Sequence, residues 1–216
     1  MGKLIVLEGL DGSGKETQSK ILEKSLIKKN FNVKRISYPN YAEESSSLVK
    51  LYLNGEIDKN PFNVNAFATT SFYACDHYIT YKKSWEKEYL KDYIIVCDRY
   101  VSSNAVHQMS KLEKTKWNIF LDWLYDFEIE KLKLPKEDVL IYLDVDTKIS
   151  EKLIRKRNLK RDIHEKNLKY LEKCKEAALY AAEKLNWEVI KCYEEDEILS
   201  IEEIAKKIYS LILKNV

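Results

Sequence analysis

A doubly wound α/β fold, five mainly parallel strands flanked by helices, is what this sequence predicts, and three observations carry it. Short apolar runs alternate with helical spacings along the chain, at 3–7, 31–37, 93–97, 139–143 and 187–192. The runs at 93–97 and 139–143 are apolar throughout, as befits strands covered on both faces. The run at 3–7 passes through three glycines directly into helical spacing. Strands that alternate with helices in this way are joined by right-handed crossovers, and ligands gather at the C-terminal strand ends.

The elements follow in order. After the opening strand, Ile21, Leu22, Ser25, Leu26 and Lys29 recur at helical spacing. Alternation over 31–37 predicts a second strand, broken by Tyr38-Pro39-Asn40-Tyr41. A helix at 43–53 ends at Asn54-Gly55. A long helical region at 60–90 carries Phe62, Ala66, Thr69, Thr70, Tyr73 and His77 on one face. Beyond the third strand, 103–108 is a polar helix or loop, and a further helix carries Trp117, Phe120, Leu121, Leu124 and Phe127. Residues 149–157 are helical, 158–161 interrupt, and Asp162 begins a long helix reaching about 184. Ile201, Ile204, Ala205, Ile208, Leu211 and Ile212 form the apolar face of a terminal helix.

The length allows one large domain or two small ones, and with five Gly, three Pro and no linker or repeat a single domain over 1–216 is expected. Net charge is +2 from interspersed opposite charges, so no basic stripe for a nucleic-acid polymer is expected. Neither a signal peptide nor a membrane span is expected, and the four cysteines, far apart, read as buried thiols of a cytoplasmic protein. Arginine is scarce: Arg35, Arg99, Arg155, Arg157 and Arg161 stand against more than six times as many lysines. Positions that do use it are candidates for planar, bidentate anion contacts.

The motif Gly9-Leu10-Asp11-Gly12-Ser13-Gly14-Lys15 is a phosphate loop between strand and helix. Its glycines let backbone N–H groups curl around phosphate oxygens, the helix N-terminus favours negative charge, and Lys15 reaches the β and γ phosphates. Gly9, Asp11, Gly12, Ser13, Gly14, Lys15, Glu16 and Thr17 are therefore the expected ATP-binding residues. Glu16 stands where Ser or Thr commonly holds magnesium. It either binds the metal through water or caps the helix while Thr17 or Asp98 assists. Asp98 ends a buried strand, as a carboxylate aimed at magnesium or its water shell would. Phosphoryl transfer asks for positioning and positive charge, and Lys15, Arg99 and the segment with Arg155, Arg157 and Arg161 supply it. That segment, about 155–165, reads as a lid, or more plainly as a solvated basic turn. Asp162 with Glu165 also reads as a capping box. Tyr73, Asp76 and His77 share a helical face that either lines a base pocket or belongs to the core.

These motifs resemble the thymidylate kinase family over nearly the whole chain. The most specific matches are Gly12-Ser13-Gly14-Lys15-Glu16-Thr17-Gln18, Asp98-Arg99-Tyr100 with Ser103-Asn104 and Gln108, and Arg161-Asp162-Ile163-His164-Glu165. The resemblance implies transfer of the γ-phosphate of ATP to dTMP with Mg2+, and a homodimer. Asp11 would sit near the acceptor sugar and magnesium, and Arg99 would bind the acceptor phosphate; Glu16, Asp98 and Glu165 are the candidate residues for the metal. Tyr41, Tyr73, His77, Asn104, His107, Gln108 and His164 would surround the acceptor. Gly12 fills a loop position that holds arginine in some members, which makes Arg155, Arg157 and Arg161 the expected suppliers of that charge. Three departures bear on the acceptor: Asn40 in a Phe-Pro-Arg motif, His77 for an arginine that helps read thymine, and His107 for a tyrosine that crowds out a ribose hydroxyl. Two alternatives stand beside this reading: a kinase for another nucleotide or nucleoside, and a regulatory protein that binds or hydrolyses ATP.

Overall fold

The computed structural model describes residues 1–156 and 162–215. Five strands form the main sheet: β1 (Lys3–Gly9), β2 (Val33–Ser37), β3 (Ile94–Asp98), β4 (Val139–Asp144) and β5 (Glu188–Lys191). Their order is β2-β3-β1-β4-β5 and every neighbouring pair is parallel. Tyr193–Glu194 and Glu197–Ile198 add a small antiparallel hairpin that the sequence reading did not contain.

The helices are α1 (Lys15–Ile27), α2 (Ser47–Leu53), α3 (Ala66–Thr80), α4 (Glu86–Tyr89), α5 (Ser102–His107), α6 (Trp117–Tyr125), α7 (Thr147–Lys156), α8 (Leu168–Leu185) and α9 (Ile201–Asn215). The long helical region expected over 60–90, read as continuous or broken, is a 3-10 turn at Pro61–Asn63, then α3, a π-helical stretch Tyr81–Trp85 and α4. Asn65 caps α3 by accepting from the backbone N–H groups of Phe67 and Ala68. The long helix expected from Asp162 begins instead at Leu168, where the Asn167 side chain accepts from Tyr170 N. Such a cap contributes about 1 kcal/mol. Asp162 and Glu165 do make the reciprocal bonds of a capping box, but around a turn: Asp162 Oδ1 accepts from His164 N and Glu165 N, and Glu165 Oε2 accepts from Asp162 N.

The period of two in β1 divides the core. Leu4 and Val6 join the cluster that holds α5, α6 and α8, while Ile5 and Leu7 join the one that holds α1 and α9. β1 therefore sends its helix to one face of the sheet and its neighbour β3 sends α5 to the other. A crevice opens between those two strand ends. Cys97, Cys174 and Cys192 are buried and free, as expected, but Cys75 is exposed. No helix among the described residues is long and apolar enough to cross a membrane.

Candidate active site

The crevice begins with the turn that leaves β1. Gly12 and Gly14 have φ of 83° and 84°, a region an L side chain adopts only at a cost. A Cβ on Gly12 would also lie 2.8 Å from the Ser150 carbonyl oxygen, so α7 packs directly on the loop. The Ser150 hydroxyl donates to the Asp11 carbonyl and ties the two together. Lys15 opens α1 and folds back, its ammonium donating to Leu10 O at 2.8 Å with Ser13 Oγ at 3.4 Å. Burial, reinforced by the Arg99 charge, lowers Lys15 to about 8.

Arg99 follows β3 with φ of 68°, unusual for a bulky side chain and costing on the order of 1–3 kcal/mol. It is over-determined from three sides. Its backbone N–H donates to Leu7 O at 3.1 Å. Its guanidinium reaches Asp11 Oδ1 at 2.5 Å, Glu8 Oε1 at 3.3 Å and His107 Nε2 at 3.1 Å. Burial opposes the Arg99 charge, but the Asp11 and Glu8 carboxylates override it and hold the cation firmly protonated. Burial likewise opposes the Asp11 carboxylate, and Arg99 and Lys15 together keep it well below the usual range.

Glu8 is a site residue that the sequence reading missed. It is fully buried, and on β1 it shares the face of Leu4 and Val6. Its carboxylate accepts from Ser102 Oγ at 2.9 Å, Ser103 Oγ at 2.6 Å and Gly9 N at 2.9 Å. One carboxylate thus ties the phosphate loop, the start of α5 and Arg99 together. A charged residue inside an apolar strand was the available signal.

Two connected cavities open here. The larger, of about 630 Å³, is lined by Asp11, Gly12, Lys15, Glu16, Tyr41, Asp98, Arg99, Asp162 and Glu165, among others. The smaller, about 60 Å³, is lined by Tyr41, Tyr73, Asn104, His107, Gln108 and His164, with Asp11, Arg99 and Asp162 shared. Most of the expected substrate residues therefore meet in one place. His107 and His164 stack with centroids 5.1 Å apart. Burial and the Arg99 charge push His107 down to about 3, and burial with His107 and Lys111 pushes His164 well below its usual value, so both rings are neutral near pH 7. Behind them, Tyr52 OH lies 2.7 Å from His164 Nε2, and Tyr170 OH donates to the His107 carbonyl. Asn104 Oδ1 and Gln108 Oε1 are buried without partners among the described residues, two acceptors of residues that line a polar cavity.

Not every expected residue joins. His77 is buried outside both cavity walls, with Nδ1 2.6 Å from Glu128 Oε2. Thr17 is exposed on α1 and lines neither cavity. Arg155 lies on the surface of α7 paired with Glu151 at 2.6 Å, a local i,i+4 contact. Arg157 and Arg161 lie outside the described residues, so the lid expectation is described only at Arg155 and at 162–165. Of the carboxylates, Asp98 is buried at the end of β3 and raised by that burial. Glu16 is exposed and pairs with Lys20 at 2.6 Å. No cluster of three potential metal-ligating side chains occurs among the described residues.

A family model described as thymidylate kinase matches residues 7–208. A probable thymidylate kinase of Staphylothermus marinus is 30% identical over 210 residues, covering 94% of this chain and 96% of that protein. A thymidylate kinase of Plasmodium falciparum is 32% identical over 151 residues, 67% of this chain and 62% of that protein. Among solved structures, a thymidylate kinase from Candida albicans has a TM-score of 0.73 at 21% identity, covering 99% of this chain and 92% of that one. One from Ehrlichia chaffeensis has a TM-score of 0.69 at 19% identity, covering 98% of each chain. These two likenesses show the fold. The family match runs from β1 into α9 and spans the phosphate loop, Arg99 and the small cavity alike, and the chain belongs to the thymidylate kinase family.

Proposed function

We propose that this protein transfers the γ-phosphate of ATP to dTMP, giving dTDP and ADP. The observation that carries this reading is a pair of cations on neighbouring strand ends. Lys15 and Arg99 line one cleft, and Arg99 alone continues into the small cavity. One bound phosphate would occupy one of them; a donor and an acceptor need both. An oxygen of the acceptor phosphate attacks the γ-phosphorus, the bond to the bridging oxygen of ADP breaks, and that electron pair leaves with ADP. Lys15 balances charge on the donor oxygens, Arg99 holds the acceptor in line, and Asp11 aims Arg99. No covalent intermediate on the protein is required.

The small cavity fits a pyrimidine better than a purine. Tyr73 supplies a ring for stacking, and Asn104 and Gln108 supply the polar contacts. The neutral His107–His164 stack lies where the sugar edge would run. Magnesium usually retains several waters and needs only one or two protein carboxylates. Asp98, buried and lining the cleft, suits that demand, with Glu16 and Glu165 at the rim; when bound, the ion neutralises charge on the phosphate oxygens. A homodimer is supported by the exposed apolar residues Phe67, Tyr78 and Ile79 on α3 and Ile119 on α6, and sedimentation would test it. Action in the cytoplasm accords with the buried free thiols.

The deciding experiment is an acceptor panel with ATP and magnesium: dTMP, dUMP, dCMP, dGMP and thymidine, scored by product identity. The expected result is dTMP first. Another acceptor ranking above dTMP would overturn the substrate, and ATP hydrolysis indifferent to every acceptor would favour a regulatory nucleotide-binding protein.

A further inference from the structure

Behind the small cavity lies a carboxylate that phosphoryl transfer leaves unused. Glu128 stands on the π-helical turn Asp126–Lys131 and is fully buried. Such a group is costly unless its oxygens are occupied. Both are: the Asn104 amide donates to Oε1 at 2.8 Å, and His77 Nδ1 lies 2.6 Å from Oε2. Asn104 and His77 are each 1% exposed, so neither bond is exchanged for water. A carboxylate only accepts, and this settles which end of the Asn104 amide is which. The nitrogen faces Glu128, which leaves Oδ1 as the buried, unpartnered acceptor of a cavity-lining residue.

We propose that Glu128 is a positioning residue that fixes the polarity of Asn104, so that the cavity selects a base carrying a ring N–H, and that His77 locks Glu128 in place. Thymine and uracil offer such an N–H between two carbonyls. Cytosine presents a bare acceptor nitrogen there, and two acceptors would face each other. Sites built to hydrogen-bond a substrate reject the analogue lacking the matching group far more strongly than apolar pockets do. His77 thus contributes to base reading from behind the pocket wall. The inference rests on the small cavity being the acceptor-base site.

Glu128→Gln tests it. The side chain keeps its shape, but its new NH2 lets Asn104 turn over and present nitrogen to the cavity. Kinetics with dTMP and dCMP at saturating ATP are expected to show KM for dTMP rising about tenfold with kcat within about threefold. The dTMP-over-dCMP preference should fall by at least about tenfold, with KM for ATP unchanged. A folded variant with that preference intact overturns the inference. If Glu128→Gln does not fold, Glu128→Asp, too short to hold both partners, is expected to lose the same preference, and retention overturns the inference equally. A wild-type enzyme that ignores dTMP overturns the acceptor reading and this inference with it; a wild type active on dTMP beside a variant of unchanged preference overturns this inference alone.

Discussion

The two cavities share Arg99 and Asp11 but solve opposite problems. The larger one is ionic: Lys15, Arg99, Asp11, Asp98 and Asp162 face one space, each shifted by burial or by the others. Beyond the Asp11, Arg99 and Asp162 that it shares, the smaller one is polar but neutral, with two amides, two uncharged histidines and Tyr73. On the proposed function, the difference follows from what each would recognise. Phosphates are alike in every nucleotide, so charge near them supplies turnover. Bases differ only in the placement of donors and acceptors, and fixed hydrogen-bonding groups in a tight cavity supply choice.

Substitutions can break this division, beginning with the largest effect. Lys15→Met removes the cation of the phosphate loop and should lower kcat by about a thousandfold with the fold intact, read by steady-state kinetics beside circular dichroism. A loss below tenfold would mean that the donor phosphates lie elsewhere. Arg99→Ala should lower kcat/KM for dTMP by about a hundredfold or more while ATP binding, followed by calorimetry, stays nearly intact. Equal loss of both would make Arg99 a structural residue. Glu8→Gln should lower turnover less, by about tenfold, because it touches the reaction only through Arg99. It should also cost about 1–3 kcal/mol of stability in urea unfolding, since Ser102, Ser103, Gly9 and Arg99 share that carboxylate. A stability loss without a kinetic one would separate Glu8 from the site.

The smallest effect concerns pH. Burial and the neighbouring Asp11 raise Asp162 to about 7, above its unfolded value of 3.8. Between those values the folded state holds a proton that the unfolded state has released, so stability falls as pH rises through this window. Asp162→Asn still accepts the His164 and Glu165 N–H groups but cannot ionise. It should flatten the pH dependence of Tm between about 4 and 7 and raise Tm by about 2–4 °C at pH 7.5. Parallel curves for wild type and variant would show that Asp162 ionises freely.

Much of the ionic region was legible in the sequence. Gly12, Gly14 and Lys15 stand at fixed spacing because a phosphate-binding turn tolerates little else, and Asp98-Arg99 follow an apolar strand whose end is determined by the run itself. The neutral region was only half legible. Tyr73, Asn104, His107 and Gln108, expected together through family resemblance, do line the small cavity, yet His77, expected with them, lies outside both cavity walls. Glu128 could not have been singled out, since Asp126, Glu128 and Glu130 alternate with apolar residues and nothing in their spacing marks one of them as buried. The π-helical turn and the packing of α3 and α5 against it decide which of them is buried. Arg155 shows the converse: its place in a basic run suggested a role in the cleft, and a local ion pair on α7 holds it at the surface.

By itself, then, the sequence determined the strand–helix alternation, the phosphate loop and the family, because backbone conformation and hydrophobic period are local properties of the chain. The tertiary structure alone decided that Glu8 anchors Arg99, that Asp11 faces it, and that His77 and Asn104 meet on Glu128. Those contacts join residues between 24 and 91 positions apart, and the sign of a hydrogen bond or the cost of a buried charge exists only once such groups are brought together.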